Sequence, residues 1–208
     1  MLKNNYGGLF VVFDGPKGVG KTSLIERVKV ELIKNNISVW TTRTPSDTKL
    51  GKFVRHIAEK IKHESLACLI AADRYNLLYT EIIPQLLEKR VVIMDRYVLS
   101  SLILQRLDNV DSDFILTIHK NLIMPDIQVV VTASESVIRT RLNERKKYLS
   151  RFEKGNRTSE ELKYLNEGIE VLRTFGIQIM TLDNSGDFTA GVSFITNNIL
   201  KCLSNISK

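Results

Sequence analysis

Leu9-Phe10-Val11-Val12-Phe13-Asp14-Gly15-Pro16-Lys17-Gly18-Val19-Gly20-Lys21-Thr22 is the stretch that decides how this chain folds. Leu9 to Phe13 is an unbroken apolar run, the pattern of a strand buried on both faces of a parallel sheet. Gly15 to Thr22 then fits G-x-x-x-x-G-K-[ST], directly after that strand and at the start of a helical stretch, where such a loop must stand to work. Its glycines let successive backbone N–H groups converge on phosphates, and the helix behind it presents its positive end. Lys21 is placed to reach a transferring phosphate and the Thr22 hydroxyl to ligate Mg²⁺. Gly15, Pro16, Lys17, Gly18, Val19, Gly20, Lys21, Thr22 and Ser23 are therefore the candidate binding segment for ATP with Mg²⁺.

Similar short apolar runs recur outward from this stretch, at Ser38–Thr42, Val91–Met94, Ile127–Val131 and Gln178–Leu182. Helical periodicity separates them, at 21–34, 50–61, 66–87 with Pro84 near its end, 98–107, 114–122, 135–145, 159–174 and 188–203. Such alternation builds βαβ units. Right-handed crossovers then predict an α/β P-loop NTPase fold: a three-layer sandwich whose roughly five-stranded parallel sheet carries helices on both faces, with ligands at the carboxyl ends of the strands. No repeat, low-complexity tract or linker interrupts the pattern, so the expectation is a single domain over residues 1–208.

Composition excludes more than it selects. Hydrophobic residues make up 43% and charged residues 25%, ordinary globular values. No apolar run approaches the roughly 18 residues of a membrane span, and Met1 to Gly8 lacks the charged, apolar, small-residue order of a signal peptide. The expectation is a cytoplasmic protein with no membrane partner. Cys68, in the apolar stretch 66–72, and Cys202 read as reduced structural thiols, the first of them buried. His56, His63 and His119 show no metal-ligand spacing and read as surface or helix-packing residues; Trp40 reads as core.

The net charge of +7 admits either a nucleic acid or phosphorylated small molecules as partner. Much of the basic charge lies in Arg139, Arg141, Arg145, Lys146, Lys147, Arg151, Lys154 and Arg157, where only Tyr148 and Phe152 are aromatic. That segment reads as a solvated face or a phosphate-facing one, and no stable nucleic-acid partner is expected. A second apolar strand, Val91 to Met94, ends in Asp95 and is followed at once by Arg96. Beside a phosphate loop such a carboxylate holds Mg²⁺ or its waters, and the adjacent guanidinium suits a second phosphate. The alternative is a strand end with a surface ion pair.

Asp95-Arg96-Tyr97-Val98-Leu99-Ser100-Ser101-Leu102-Ile103-Leu104-Gln105 resembles the D-R-Y-x-x-S-S-x-A-Y-Q segment of thymidylate kinases. Ala71-Ala72-Asp73-Arg74 resembles their A-A-D-R helix. Thr42-Arg43-Thr44-Pro45 with Gly51 and Arg55 resembles their T-R-E-P…G-x-x-I-R loop, and Pro125-Asp126 their P-D. Arg141 and Ser150-Arg151-Phe152-Glu153 look like the arginine-rich lid, here about 141–158, and the similarity spans roughly residues 9–183. It implies a nucleoside monophosphate kinase that moves the γ-phosphate of ATP to the 5′-phosphate of dTMP or a related nucleotide. Lys21, Asp95, Arg96, Arg141, Arg145 and Arg151 would then be catalytic, with Thr22 and Asp95 serving Mg²⁺. Arg96 would clamp the acceptor phosphate and Arg74 donate to the pyrimidine O4. Asp14, Lys17, Arg43, Arg55, Ile70, Ser100, Ser101, Leu104 and Gln105 complete the implied acceptor site. Helical spacing agrees that Arg74 points the same way as Ile70, and that Ser101, Leu104 and Gln105 share a face, so that two helices wall a base pocket. The resemblance also implies a homodimer, with the apolar faces of 50–61 and 66–87 as candidate contacts.

The chain departs from the family where the acceptor is read. Lys17 replaces a P-loop carboxylate that accepts from the sugar 3′-hydroxyl, so either Asp14 takes that contact, or the acceptor is anionic there, or Lys17 turns outward or simply strengthens phosphate binding. Ile70 replaces a stacking phenylalanine and Leu104 a tyrosine beside the sugar, and Ser46-Asp47 replaces paired glycines. Tyr75 or Phe53 is a candidate substitute for the lost stacking. Three other readings stand beside the first: a kinase of a modified nucleotide or other phosphorylated small molecule, a guanylate kinase, and an ATP-binding regulator without turnover.

Overall fold

The computed structural model describes residues 1–144 and 158–206. Five strands, β1 (Leu9–Asp14), β2 (Val39–Arg43), β3 (Val91–Asp95), β4 (Ile127–Thr132) and β5 (Gln178–Asp183), form one parallel sheet in the order β2-β3-β1-β4-β5. Every residue of β1 is buried, which is why its sequence is continuously apolar instead of alternating. Phe13 lies opposite Asp95 and Asp14 opposite Val130, so the ends of β1, β3 and β4 finish side by side. The chain leaves β1 toward β2 and β3 on one side and returns to β4 and β5 on the other. That reversal opens a crevice at the carboxyl end of β1, where the glycine loop begins.

Residues of β1 alternate between two cores. Leu9, Val11 and Phe13 pack with α1 (Lys21–Lys34), α9 (Phe188–Ile206) and Ile138 of α7 (Glu135–Glu144). Phe10 and Val12 face the opposite layer, made by α3 (His63–Leu77), α4 (Ile83–Leu87), α5 (Val98–Leu104), α6 (Ser112–Ile118) and α8 (Thr158–Thr174). α2 (Lys49–Ile57) rests on α3 through Val54, Leu66 and Ile70. The expected sandwich is therefore present, with helices on both faces of the sheet.

Differences from the sequence reading have local causes. The stretch 66–87 is not one α-helix but α3, a π-helical turn at Leu78–Ile82, and α4. Pro84 has no N–H and its ring crowds the carbonyl one turn back, which a widened turn accommodates. α6 starts at Ser112, ahead of its apolar run, because Asp111 caps it by accepting from the backbone N–H groups of Asp113 at 2.8 Å and Phe114 at 3.1 Å. Cys68 is exposed, not buried: α3 turns Ala67, Ile70, Ala71 and Arg74 inward and leaves Cys68 on its outer side. Trp40 is half-buried against the core. Among the described residues no helix is long and apolar enough to cross a membrane.

Candidate active site

The glycine loop sits where its conformation leaves no substitute for glycine. Gly15, Gly18 and Gly20 have φ of 145°, 82° and 91°, and a Cβ on Gly15 would overlap the Val131 carbonyl of β4. Lys21 opens α1 and is buried, its Nζ donating to the carbonyls of Gly15 and Pro16 at 2.8 Å each. Burial, and then the charge of Arg96, push its pKa down to about 7. Thr22 Oγ1 donates to Asp95 Oδ2 at 3.3 Å, while Asp95 Oδ1 is buried with no partner. An orphaned carboxylate oxygen beside a hydroxyl fits a hard divalent cation. Among the described residues no cluster of three or more His, Cys, Asp or Glu side chains would hold a metal by itself. Mg²⁺ takes one or two protein oxygens and completes its shell with phosphates and water.

Arg96 follows β3 with a φ of 72°, a conformation that costs a non-glycine residue about 1–3 kcal/mol and persists only when its surroundings impose it. Its backbone N–H donates to the Phe13 carbonyl at 2.9 Å. Its Nη1 donates to Ser100 Oγ at 3.1 Å and makes a long 3.5 Å contact with the Gly15 carbonyl. Ser100 in turn donates to Asp14 Oδ1. Asp14 is fully buried and also accepts from the Tyr97 N–H at 3.1 Å and from Gln128 Nε2 at 3.2 Å. Desolvation raises its pKa against those bonds and the nearby arginines. The expected sugar contact for Asp14 therefore does not fit: its oxygens are committed inside the protein, and its part is to seat Arg96 through Ser100. A cavity of about 160 Å³ is lined by Lys17, Lys21, Thr22, Asp95 and Arg96 with the loop glycines.

Behind this cavity α3 meets α5. Arg74 is 2% exposed and its Nη1 donates to Ser101 Oγ at 2.5 Å, joining the two helices. Ile70 lies one turn earlier on the same buried face. Arg74 Nε and Gln105 Oε1 are buried with no partner, one donor and one acceptor left over. Leu104 is half-buried against the core. Of the aromatics considered in place of a stacking partner, Phe53 is 51% exposed on α2. The Tyr75 hydroxyl accepts from the Asn121 N–H at 3.3 Å while its ring packs on the core.

Arg43 and Arg55 brace a loop instead of standing open. Arg43 Nη2 pairs with Asp47 at 2.7 Å; Arg55 Nη2 donates to the carbonyls of Pro45 at 2.7 Å and Ser46 at 2.9 Å and reaches Asp47 at 3.3 Å. Both guanidinium groups hold the Asp47 carboxyl below its ordinary pKa, the Arg43 hydrogen bond contributing most. Buried Asp73 grips the same loop, accepting from Ser46 N at 2.7 Å and Ser46 Oγ at 2.6 Å. Gly51 must be glycine because a Cβ there would overlap the Ser46 main chain. On the far side of the glycine loop, Arg141 donates to the carbonyls of Val19 at 3.2 Å and Asn184 at 2.9 Å. It lines a cavity of about 330 Å³ with Gly18, Gly20, Ser23, Asn184 and Phe188. Its guanidinium lies against those two carbonyls and does not line the cavity that holds Lys21 and Arg96. Arg145 and Arg151 fall outside the described residues.

Residues 13–189 match the thymidylate kinase family model. The chain belongs to the thymidylate kinase family. It is 35% identical over 147 residues to a probable thymidylate kinase of Methanococcus maripaludis, covering 70% of this chain and 69% of that protein. A thymidylate kinase of Caldicellulosiruptor saccharolyticus is 34% identical over 143 residues, 65% of this chain and 69% of its own length. A probable thymidylate kinase of Methanocaldococcus jannaschii is 35% identical over 122 residues, and there the match spans 57% of this chain and 61% of the relative.

Against the thymidylate kinase pattern two residues stand out that sequence reasoning missed. Glu161 of α8 is 8% exposed and accepts from the backbone N–H of Lys17, with Arg96, Lys21 and Lys17 as its charged neighbours. Desolvation raises its pKa and those groups lower it. A carboxylate thus reaches the phosphate loop from α8 although position 17 carries a lysine. In sequence it looks like part of an acidic first helical turn, and nothing local signals where α8 docks. His119 is the other: fully buried, it meets Arg74 at 2.8 Å through Nε2, neither a surface residue nor simple packing.

Proposed function

We propose that this chain transfers the γ-phosphate of ATP to the 5′-phosphate of dTMP or a closely related pyrimidine nucleotide. The carrying observation is that one cavity of about 160 Å³ is lined both by the phosphate loop with Lys21 and Thr22 and by the strand end with Asp95 and Arg96, so donor and acceptor phosphates meet there. Thr22 and Asp95 are the residues that would hold Mg²⁺, which neutralises charge across the β- and γ-phosphates when bound. Lys21 leaves the Gly15 and Pro16 carbonyls to pair with a phosphate, and Arg96, seated by Ser100, takes the acceptor phosphate. Arg141 and Asn184 border the donor nucleoside. The lid expected at about 141–158 would carry Arg145 and Arg151, and residues 145–157 lie outside the described residues. Arg74 Nε and Gln105 Oε1 supply one donor and one acceptor for the edge of a keto pyrimidine. The protein acts in the cytoplasm as a homodimer packed through α2 and α3.

A panel of nucleoside monophosphates with ATP and Mg²⁺ tests this reading. Acceptor-dependent ADP formation greatest with dTMP is expected; ADP no faster than without acceptor, for every nucleotide, removes it. A second reading is favoured by Lys17, Ile70 and Leu104 together: a modified pyrimidine monophosphate as the preferred acceptor. The same panel, extended to base- and sugar-modified nucleotides, separates the two by the ranking of kcat/KM.

A further inference from the structure

Arg74 is a buried cation without a buried anion against it. Its Nη1 donates to Ser101 Oγ and to His119 Nε2, and its Cζ lies 5.8 Å over the Tyr97 ring. All three partners are neutral. Asp14 and Asp73 act on it only through space. A guanidinium this deep normally takes a carboxylate partner, because an uncompensated buried charge is costly. Burial draws its pKa down to about 10, and it remains charged at neutral pH.

The geometry at His119 explains how such a group is held. An arginine only donates, so Nε2 must be the accepting nitrogen. Nδ1 lies 2.7 Å from the Ile115 carbonyl and must therefore carry the proton. The ring is a single neutral tautomer, fixed at one end by the α6 backbone and at the other by Arg74. Burial, and then the Arg74 charge, hold its pKa down to about 3, so it does not become a competing cation. Meanwhile Arg74 Nε and Gln105 Oε1 stay buried and unpartnered. A carboxylate in place of the imidazole would aim the guanidinium equally well but cancel its field. A neutral acceptor aims it and leaves the charge for a ligand.

We infer that His119 is a positioning residue for acceptor specificity: it fixes the Arg74 guanidinium through a neutral hydrogen bond, so that Arg74 presents to a carbonyl oxygen of the acceptor base a positive charge that no directly bonded carboxylate cancels. This rests on the acceptor reading given above. Three variants separate aim from charge. His119→Gln keeps a neutral acceptor, His119→Asp keeps the bond and adds a counter-charge, and His119→Leu removes the bond. Steady-state kinetics with dTMP, dUMP and dCMP, with circular dichroism and thermal melts for folding, provide the readout.

The Leu and Asp variants are expected to raise KM for dTMP about tenfold and to narrow its advantage over dCMP, as loss or quenching of a charged hydrogen bond does. kcat and the KM for ATP should change less than about twofold, and the Gln variant should recover near-native KM, because a KM-only effect marks lost ground-state binding. Equal dTMP kinetics in the Asp and Gln variants overturns the inference, and that pair decides even where His119→Leu fails to fold. A folded His119→Leu enzyme with native KM overturns it as well. An active wild type beside unaltered variants leaves the proposed function standing and removes only this inference; a wild type with no acceptor removes both.

Discussion

Lys21 enters the reaction as a buried base whose charge is not yet settled. With its pKa near 7 in the free site, much of it is neutral at pH 8 and most is protonated at pH 6. Phosphates raise that pKa by stabilising the ammonium, so ATP binding takes up a proton above pH 7 and not below about pH 6. Calorimetry at pH 8 in buffers of different ionisation enthalpy, with Lys21→Met as blank, reads that uptake directly; heats independent of buffer would refute it. Glu161 belongs to the same electrostatic cluster, where its carboxylate favours the charged form of Lys21. Glu161→Gln is expected to move the alkaline limb of kcat/KM for ATP to lower pH, since one stabilising negative charge is lost. A profile that superimposes on the wild type would show that Glu161 serves packing alone.

At the scale of elements, two contacts hold the acceptor side in shape. Asp73 of α3 satisfies both the backbone and the hydroxyl of Ser46. Asp73→Ala leaves the Ser46 N–H unpaired in a buried place while the hydroxyl keeps Thr48 Oγ1 at 2.6 Å, a loss of about 1–3 kcal/mol, and slackens the loop that Arg43 and Arg55 brace. Urea unfolding and the KM for dTMP should both worsen. Gly168 of α8 faces α5 so closely that an added Cβ would come within 2.6 Å of Leu99 Cδ1, itself fully buried. Gly168→Val is therefore expected to destabilise the fold by about 1–3 kcal/mol through overpacking; an unchanged midpoint would mean the α5–α8 contact yields freely. The element boundaries themselves were largely legible. Strands buried on both faces announce themselves as apolar runs, and α1 begins and ends at the positions its periodicity predicts. What periodicity does not carry is the π turn before Pro84, a matter of backbone crowding, or the Asp111 cap that starts α6 early.

For the whole molecule, legibility follows sequence distance. Asp95 ends β3 with Arg96 next to it, and the loop that leads to Lys21 and Thr22 leaves the end of neighbouring β1, so the parallel sheet brings them to one cavity. Glu161 of α8 meets the backbone of the glycine loop at Lys17, and His119, just past α6, meets Arg74; both arrivals depend on helix docking that no short window of sequence records. Arg141 could be singled out in the sequence, but not its contacts with Val19 and Asn184, because these come from two separate loops. Ligand linkage gives a prediction at this scale. Mg·ATP at about 100-fold its Kd adds roughly 2.7 kcal/mol to stability, which in a chain of this length corresponds to a melting shift of about 5–10 °C. Lys21→Ala should show little of that shift while melting at the same temperature as the unliganded wild type. A full shift in the variant would mean that ATP does not depend on the phosphate loop.

Asp14 lies beneath all of this, joined to α5 through Ser100, to the backbone after β3 through Tyr97, and to β4 through Gln128. The floor of the reaction chamber is thus also a knot in the protein's interior. Evolution, or an engineer, that alters the floor alters stability in the same stroke. Helices α3, α5, α6 and α8 pack together in the layer on one side of that floor, and those hydrogen bonds of Asp14 go to Ser100, Tyr97 and Gln128, not to Ile70, Leu104 or His119. A lineage built this way will diversify in what it phosphorylates long before it changes how it phosphorylates.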